Sequence, residues 1–151
     1  MNTKIRFASL AAVLAVAVMG SASQMWAQQV RLNARRNKVI NGIEAQLRGD
    51  YRERANIPVR LNSALENINI PVGKKVAFCL LQNGAKTLIG VGQVAMVAGV
   101  PVASVELAAT DGDTVPNVNA GDVLQARQTK IAPFKTSPGC GSPLLVAAAF
   151  Q

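Results

Sequence analysis

Apolar and polar residues alternate with a period of two from about residue 43 to the end of the chain. Between Ile43 and Tyr51 the odd positions are apolar or small, whereas the even positions as far as Arg54 are polar or charged. Successive side chains of a β-strand point to opposite faces of a sheet. The pattern therefore predicts a strand over Ile43–Arg54 with one face on a core and the other in water.

The next segment, Ile57–Ile70, changes its parity. Its apolar residues are first odd-numbered, beginning with Ile57, and then even-numbered, ending with Ile68 and Ile70. A single extra residue moves a strand's apolar set to its other face. We therefore expect a bulge or bend around Ser63–Asn67.

Hairpin chemistry is clear in the middle of the chain. Lys75–Leu81 is apolar at nearly every position, which is typical of a central strand. Asn83-Gly84 follows directly, and this dipeptide favours a type I′ turn because both of its positions tolerate positive φ. The next strand is expected to open at Thr87.

The same logic predicts a second pair, Thr87–Val97 and Val100–Ala109, joined through Gly99. Glycines at positions 90 and 92 indicate a bulge or the close approach of a neighbouring backbone.

The rest of the chain alternates turns and strands. Pro71–Gly73 is predicted to be a turn and Asp111–Asp122 a loop, with further strands at Val123–Ile131 and Leu144–Phe150. Seven or eight short strands separated by turn residues predict an all-β fold, namely a single β-sandwich of Greek-key or immunoglobulin-like type. A small closed barrel is the alternative.

The N-terminus has the composition of an export signal. Lys4 and Arg6 precede the uncharged apolar run Phe7–Gly20, and small and polar residues follow it. This order is typical of a secretory signal peptide, and fourteen apolar residues are too few to cross a hydrocarbon core of about 30 Å. We predict a signal peptide over residues 1–27 and a single domain over residues 28–151.

Cleavage after Ala27 is expected, and a cut near Ala22 or Ser23 is the alternative. The mature chain keeps 14 of the 16 basic residues against 8 acidic ones, a net charge near +6. Export would deliver the protein to the periplasm or the cell exterior.

The two cysteines, Cys79 and Cys140, are an even number in a chain addressed to an oxidising compartment. They are predicted to form a disulfide, which would stabilise the fold by up to ~4 kcal/mol. Two free buried thiols are the alternative.

The stretch from Leu65 to Leu124 contains NINIPVGKKVAFCL, QNGAKTLIGVG and DGDTVPNVNAGDVL. In these segments the chain resembles a recurring type of small exported bacterial β-domain. The resemblance covers about half of the mature chain and rests on turn chemistry. It implies the fold class and supplies neither a substrate nor site residues.

Histidine is absent from the chain. This excludes Ser-His-Asp and Cys-His catalysis and the commonest zinc and copper ligand. A carboxylate pair for glycoside hydrolysis is possible in principle, but nothing in the sequence selects one. We predict a non-catalytic protein without a cofactor.

Three aspartates, Asp111, Asp113 and Asp122, fall within one loop. They are weak candidates for a calcium site, because hard cations take several oxygen ligands from a loop. Their spacing matches no EF-hand loop. The favoured interpretation is that they form turns by bonding their own backbone.

Basic residues are concentrated between positions 28 and 60. Candidate residues for binding a polyanion are Arg35, Arg36, Lys38, Arg48, Arg52 and Arg54, with Arg31 and Arg60 in the same region. Acidic polysaccharide, lipopolysaccharide phosphate and extracellular nucleic acid are the expected partners of such a patch. The alternative is a solvated strand face that prevents edge aggregation.

Two further motifs carry less weight. Arg48-Gly49-Asp50 spells an adhesion tripeptide, but it falls inside a predicted strand, so chance occurrence is favoured. The C-terminal residues Leu144, Val146, Ala148 and Phe150 alternate as they do in fibre subunits that assemble by donor-strand exchange. Both cysteines lie much later than in such subunits.

The sequence thus predicts an exported, non-catalytic binding or structural module. A surface-fibre subunit is the first alternative, and an enzyme of unknown type is the second.

Overall fold

A computed structural model describes residues 29–129, 139–141 and 143–151, which form an all-β sandwich. Its strands are β1 (Val30–Ile40), β2 (Ile43–Arg54), β3 (Ile57–Glu66), β4 (Lys75–Gln82), β5 (Ala85–Gln93), β6 (Ala95–Val97), β7 (Val100–Ala108), β8 (Val123–Gln128) and β9 (Leu144–Ala149). They build two antiparallel sheets that do not close into a barrel within the described residues. The predicted all-β sandwich is confirmed.

The first sheet has five strands in the order β1-β2-β3-β7-β6. Its first strand was missed by the alternation pattern. The hairpin between β1 and β2 turns at Asn41 and Gly42, whose φ angles are 51° and 81°. Positive φ at two successive positions is the geometry of a type I′ turn, for which Asn-Gly is the preferred sequence.

The expected bulge or bend around Ser63–Asn67 is confirmed as a bend at Asn67, and a separate bulge lies earlier in the strand. β3 pairs regularly with β2 as far as Glu66, and the register shift lies at the start of β3, opposite Arg52–Arg54 of β2. The parity of the buried residues changes at Asn67, which follows the end of β3 and has a φ of 54° in the left-handed region. Ile68, directly after it, is buried.

The second sheet has four strands in the order β5-β4-β8-β9. The predicted hairpin at Asn83-Gly84 is confirmed, with φ angles of 48° and 81°. The turn predicted at Pro71–Gly73 is closed by a hydrogen bond of 3.1 Å from the Lys74 N–H to the Pro71 carbonyl.

The prediction of one strand over Thr87–Val97 is wrong. β5 ends at Gln93 in the second sheet, and the chain then crosses to β6 in the first sheet. Val94 makes the crossing: it is buried, and it forms hydrogen bonds of 2.8 Å with the backbone of Gly73 and Lys74. A period-two pattern continues through such a crossing because both sheets face the same core.

Gly90 lies beside a bulge and Gly92 at a close backbone approach, the two features that the glycines indicate in the sequence. The register of β4 and β5 shifts between Phe78 and Cys79, next to Gly90. A Cβ on Gly92 would stand 2.5 Å from the Ser104 carbonyl oxygen, so the glycine lets β5 approach the backbone of β7.

The core lies between the two sheets. The odd-numbered residues of β2 from Ala45 to Tyr51 are buried, as predicted. Ile43 and Ile57 were expected to point inward, but they are 37% and 50% exposed, respectively. Both begin their strands beside the connecting turns, at the margin of the sandwich.

The disulfide between Cys79 and Cys140 is confirmed, with Cα atoms 5.9 Å apart. Val76, Phe78 and Leu80 of β4 face the core, whereas Cys79 is turned to the opposite face of the sheet and is nevertheless fully buried. The disulfide therefore holds the Gly139–Gly141 segment against the outside of β4, in keeping with the apolar character of both faces of this strand.

No helix long and apolar enough to cross a membrane occurs in the part of the chain that the structure describes. The predicted signal peptide and the end of the predicted strand Val123–Ile131 lie outside the described residues.

Candidate functional site

The outer face of the five-stranded sheet aligns arginines across neighbouring strands. Arg31 of β1 lies opposite Arg52 of β2, and Arg52 lies opposite Arg60 of β3. Directly opposed residues of antiparallel strands point to the same face. These three arginines are the first arginine row.

A second arginine row lies four residues further along the strands. Arg35 of β1 is directly opposite Arg48 of β2. All five arginines of the two rows are exposed. Like charges in directly opposed positions destabilise a sheet, so this register carries a cost in folding free energy.

Between the two arginine rows lies an amide–carboxylate row. Its members are directly opposed across four strands, namely Asn33, Asp50, Asn62 and Glu106. The amide–carboxylate row and the second arginine row line an open depression of about 470 Å³. The depression forms because Ala64 and Ser104, which continue the second arginine row, have short side chains.

Carboxylates neutralise part of this face. Asp50 lies 2.6 Å from Arg52 and 3.7 Å from Arg31, and Glu66 lies 3.3 Å from Arg48. Hydrogen bonding to Asp50, and its negative charge, raise the pKa of Arg52 further above its usual range. Among the described residues, no ion pair is formed by Arg35, Arg54 or Arg60.

The structure separates the basic residues that the sequence grouped together. Arg48, Arg52 and Arg54 share the outer face of β2, as the even-position pattern indicates. Arg36 and Lys38 are opposite Leu47 and Ala45 and therefore lie on the other face of β1. The ammonium group of Lys38 donates a hydrogen bond of 2.8 Å to the Leu145 carbonyl at the edge of the second sheet.

Of the three loop aspartates, Asp111 ends the 3₁₀ turn Ala109–Asp111, and the other two accept hydrogen bonds from nearby backbone N–H groups. Asp113 accepts one of 3.0 Å from the Ala108 N–H, and Asp122 accepts one of 2.7 Å from the Asn119 N–H. No group of three or more possible metal-ligating carboxylates or thiolates is found among the described residues. The arrangement of Asp113 and Asp122 is that of turn-forming residues.

Tyr51 connects the core to this loop. Its hydroxyl donates a hydrogen bond of 3.1 Å to Glu53 and lies 3.4 Å from the Asn117 side-chain oxygen. Burial of the ring, followed by the hydrogen bond to Glu53 and that residue's negative charge, raises the pKa of Tyr51 above its usual 10.0.

The residues of the two minor motifs make their contacts within the chain itself. Gly49 of the Arg48-Gly49-Asp50 tripeptide is buried inside β2, and both flanking charges form ion pairs. The C-terminal strand completes its own sandwich: Phe150 is 1% exposed, and Gln151 exchanges two hydrogen bonds of 3.0 Å with the backbone of Asn33.

Sequence reasoning did not identify the amide–carboxylate row, and it did not place Arg31 or Arg60. One sequence signal was available for the first of these arginines. Counting outward from the Asn41-Gly42 turn places Arg35 opposite Arg48 and Arg31 opposite Arg52. The position of Arg60 depends on the register shift at the start of β3, which follows a turn whose Asn56 has a φ of 66°.

The fold and its disulfide thus define a small all-β sandwich with a polar, arginine-rich sheet face. Comparison with protein-family models, with curated proteins and with solved structures finds no match.

Proposed function

We propose that this protein is an exported, non-catalytic binding module that contacts anionic polymers through the outer face of its five-stranded sheet. The observation that carries the proposal is the cross-strand stacking of Arg31, Arg52 and Arg60. Directly opposed like charges lower the stability of a sheet. A bound anion would compensate for this cost, because guanidinium groups form strong, bidentate hydrogen bonds with carboxylate, sulfate and phosphate.

Export is supported by the sequence of the first 27 residues and by the disulfide, a bond that persists in oxidising compartments. We expect the cell to accumulate a shortened protein outside the cytoplasm. Mass spectrometry of the purified natural protein would show an N-terminus at Gln28 or near Ser23. An intact Met1 in the mature protein would contradict export by a cleaved signal.

Binding is tested by retention on an immobilised acidic polysaccharide as the salt concentration rises. The double variant Arg52→Gln/Arg60→Gln removes two charges from the first arginine row. We expect its affinity at low ionic strength to fall about tenfold, because two of the guanidinium groups that would bind a carboxylate or sulfate are lost while both remain exposed to water.

The matched control is Lys74→Gln/Lys86→Gln, which removes the same charge from exposed positions away from this face. Its affinity should change less than about twofold at salt concentrations where long-range attraction is screened. Equal losses in the two double variants would indicate nonspecific attraction to net charge. Failure of the natural protein to bind at low salt would refute the proposal.

A further inference from the structure

The order of the three rows indicates which kind of polyanion fits. Along β2, the outward side chains of Arg52 and Arg48 are four residues apart, with Asp50 between them. Four residues of a strand span about 13 Å. The two arginine rows therefore lie about 13 Å apart, and the positions between them carry amides and carboxylates.

The central row is suited to hydroxyl groups. The amides of Asn33 and Asn62 both donate and accept hydrogen bonds, and the carboxylate of Glu106 accepts them. A sugar hydroxyl likewise donates and accepts. Because this row lines an open depression of about 470 Å³, a sugar ring can lie on it while charged groups on either side reach the arginine rows.

A polymer with closely spaced charges fits this face poorly when it lies along the strands, across the two arginine rows. A nucleic acid strand carries one charge about every 3.4 Å along the duplex axis, so some of its phosphates would lie over Glu106 and Asp50. The outward residues of β1, β2, β3 and β7 also include no aromatic side chain on which bases could stack.

We infer that the ligand is a linear acidic polysaccharide whose carboxylate or sulfate groups are separated by neutral, hydroxylated sugars. This inference rests on the proposed function. The arginine rows bind the acidic groups, and the amide–carboxylate row binds the hydroxyl groups between them. Glu106 disfavours polymers with a higher charge density.

The experiment compares two probes as competitors for binding, with the concentration of each expressed as moles of negative charge. Hyaluronate carries a carboxylate on every second sugar, and polyphosphate carries a charge on every unit. We expect hyaluronate to compete at a concentration at least threefold lower. Asn62→Ala should weaken hyaluronate binding and leave polyphosphate binding unchanged, because only the saccharide uses the amide.

Glu106→Gln is the complementary variant. Removing a negative charge from the face that a bound anion would occupy should strengthen polyphosphate binding about threefold without strengthening hyaluronate binding. Asp111→Asn, in the exposed loop, is the charge-matched control and should change neither. Circular dichroism would establish that all variants keep the β-fold.

The outcomes are distinct. Tighter binding of polyphosphate, or of single-stranded DNA used as a third probe, would overturn the inference but leave the proposed function intact. Binding of none of the three probes at low salt would overturn both. Equal effects of Asn62→Ala on hyaluronate and polyphosphate would overturn the selection of the saccharide by the amide.

Discussion

The ring of Phe150 packs directly against the backbone of Gly49, so that a Cβ added to Gly49 would stand 2.9 Å from the ring carbon Cζ and 2.8 Å from Cδ2 of Leu124. Glycine thus provides the space in which the last aromatic residue of the chain enters the core. Phe150 also forms an antiparallel β-bridge with Ala34, and this bridge fixes the C-terminus beside β1.

Gly49→Ala should therefore destabilise the fold. Adding one methyl group to a filled core typically costs about 1–3 kcal/mol, which exceeds the small gain from a less flexible unfolded chain. Urea unfolding followed by circular dichroism would measure the loss. Gly139→Ala is the control, since a Cβ added at that position would meet no atom of the described residues within 4 Å and we expect little change. Equal stability of the two variants would contradict the contact.

The disulfide should account for a substantial part of the stability. Cys79 and Cys140 are 61 residues apart, and closing a loop of this length stabilises a fold by about 2–4 kcal/mol through restriction of the unfolded chain. We expect Cys79→Ala/Cys140→Ala to lose this amount in urea unfolding. A reducing agent should weaken the natural protein similarly and leave the double variant unaffected. A natural protein that is insensitive to reduction would argue against the link.

Tyr51 offers a spectroscopic test, because it is the only tyrosine in the chain. Its phenolate absorbance should appear at a higher pH than the usual 10.0, since burial and Glu53 both raise its pKa. Glu53→Gln should move the transition to lower pH but leave it above 10.0, because burial is the larger cause. A transition at the same pH in both proteins would contradict the contact with Glu53.

The same pKa predicts how stability depends on pH. Well below the usual pKa of 10.0, both the folded and the unfolded chain hold the phenolic proton, so the contribution of Tyr51 to stability is fully present. It is lost as the pH rises from the unfolded value of 10.0 through the higher folded value. Tyr51→Phe should remove this dependence, and urea unfolding across this pH range would measure it.

Arg60→Gln should raise the stability of the protein while weakening its binding to anions. Arg60 stands directly opposite Arg52 and forms no ion pair within the described residues, so its removal relieves a repulsion between like charges. Urea unfolding at low salt would measure the gain, which should shrink as salt screens the charges. Lys86→Gln is the control and should leave the stability unchanged. A loss of stability in Arg60→Gln would show that the row is structural.

Turn residues and alternation predicted much of the architecture. The Asn83-Gly84 hairpin, the central strand β4, the inward face of β2 and the pairing of the two cysteines follow directly from the sequence. β1 was missed because polar and basic residues occupy much of it, and Ala34 is the one position of this strand that is buried. Its Asn41-Gly42 turn was the available signal.

The arrangement of the site depends on register, which the sequence determines only partly. Arg60 lies on the outer face because one extra residue of β3 is accommodated opposite Arg52–Arg54. Without that bulge, Arg60 would be opposite Tyr51 and would face the core. The sequence also does not reveal the crossing at Val94. An apolar residue is expected at this position both in one continuous strand and in a segment that passes from one sheet to the other.

Binding of anions to the outer face of the five-stranded sheet can be observed residue by residue. Proton–nitrogen NMR of the labelled protein during titration with hyaluronate oligosaccharides at low salt would locate the contact. We predict shifts concentrated in the amides of Arg31, Arg52, Arg60 and their neighbours on β1, β2, β3 and β7, with β4 and β5 unaffected. Shifts centred on the four-stranded sheet, or none at all, would contradict binding at this face.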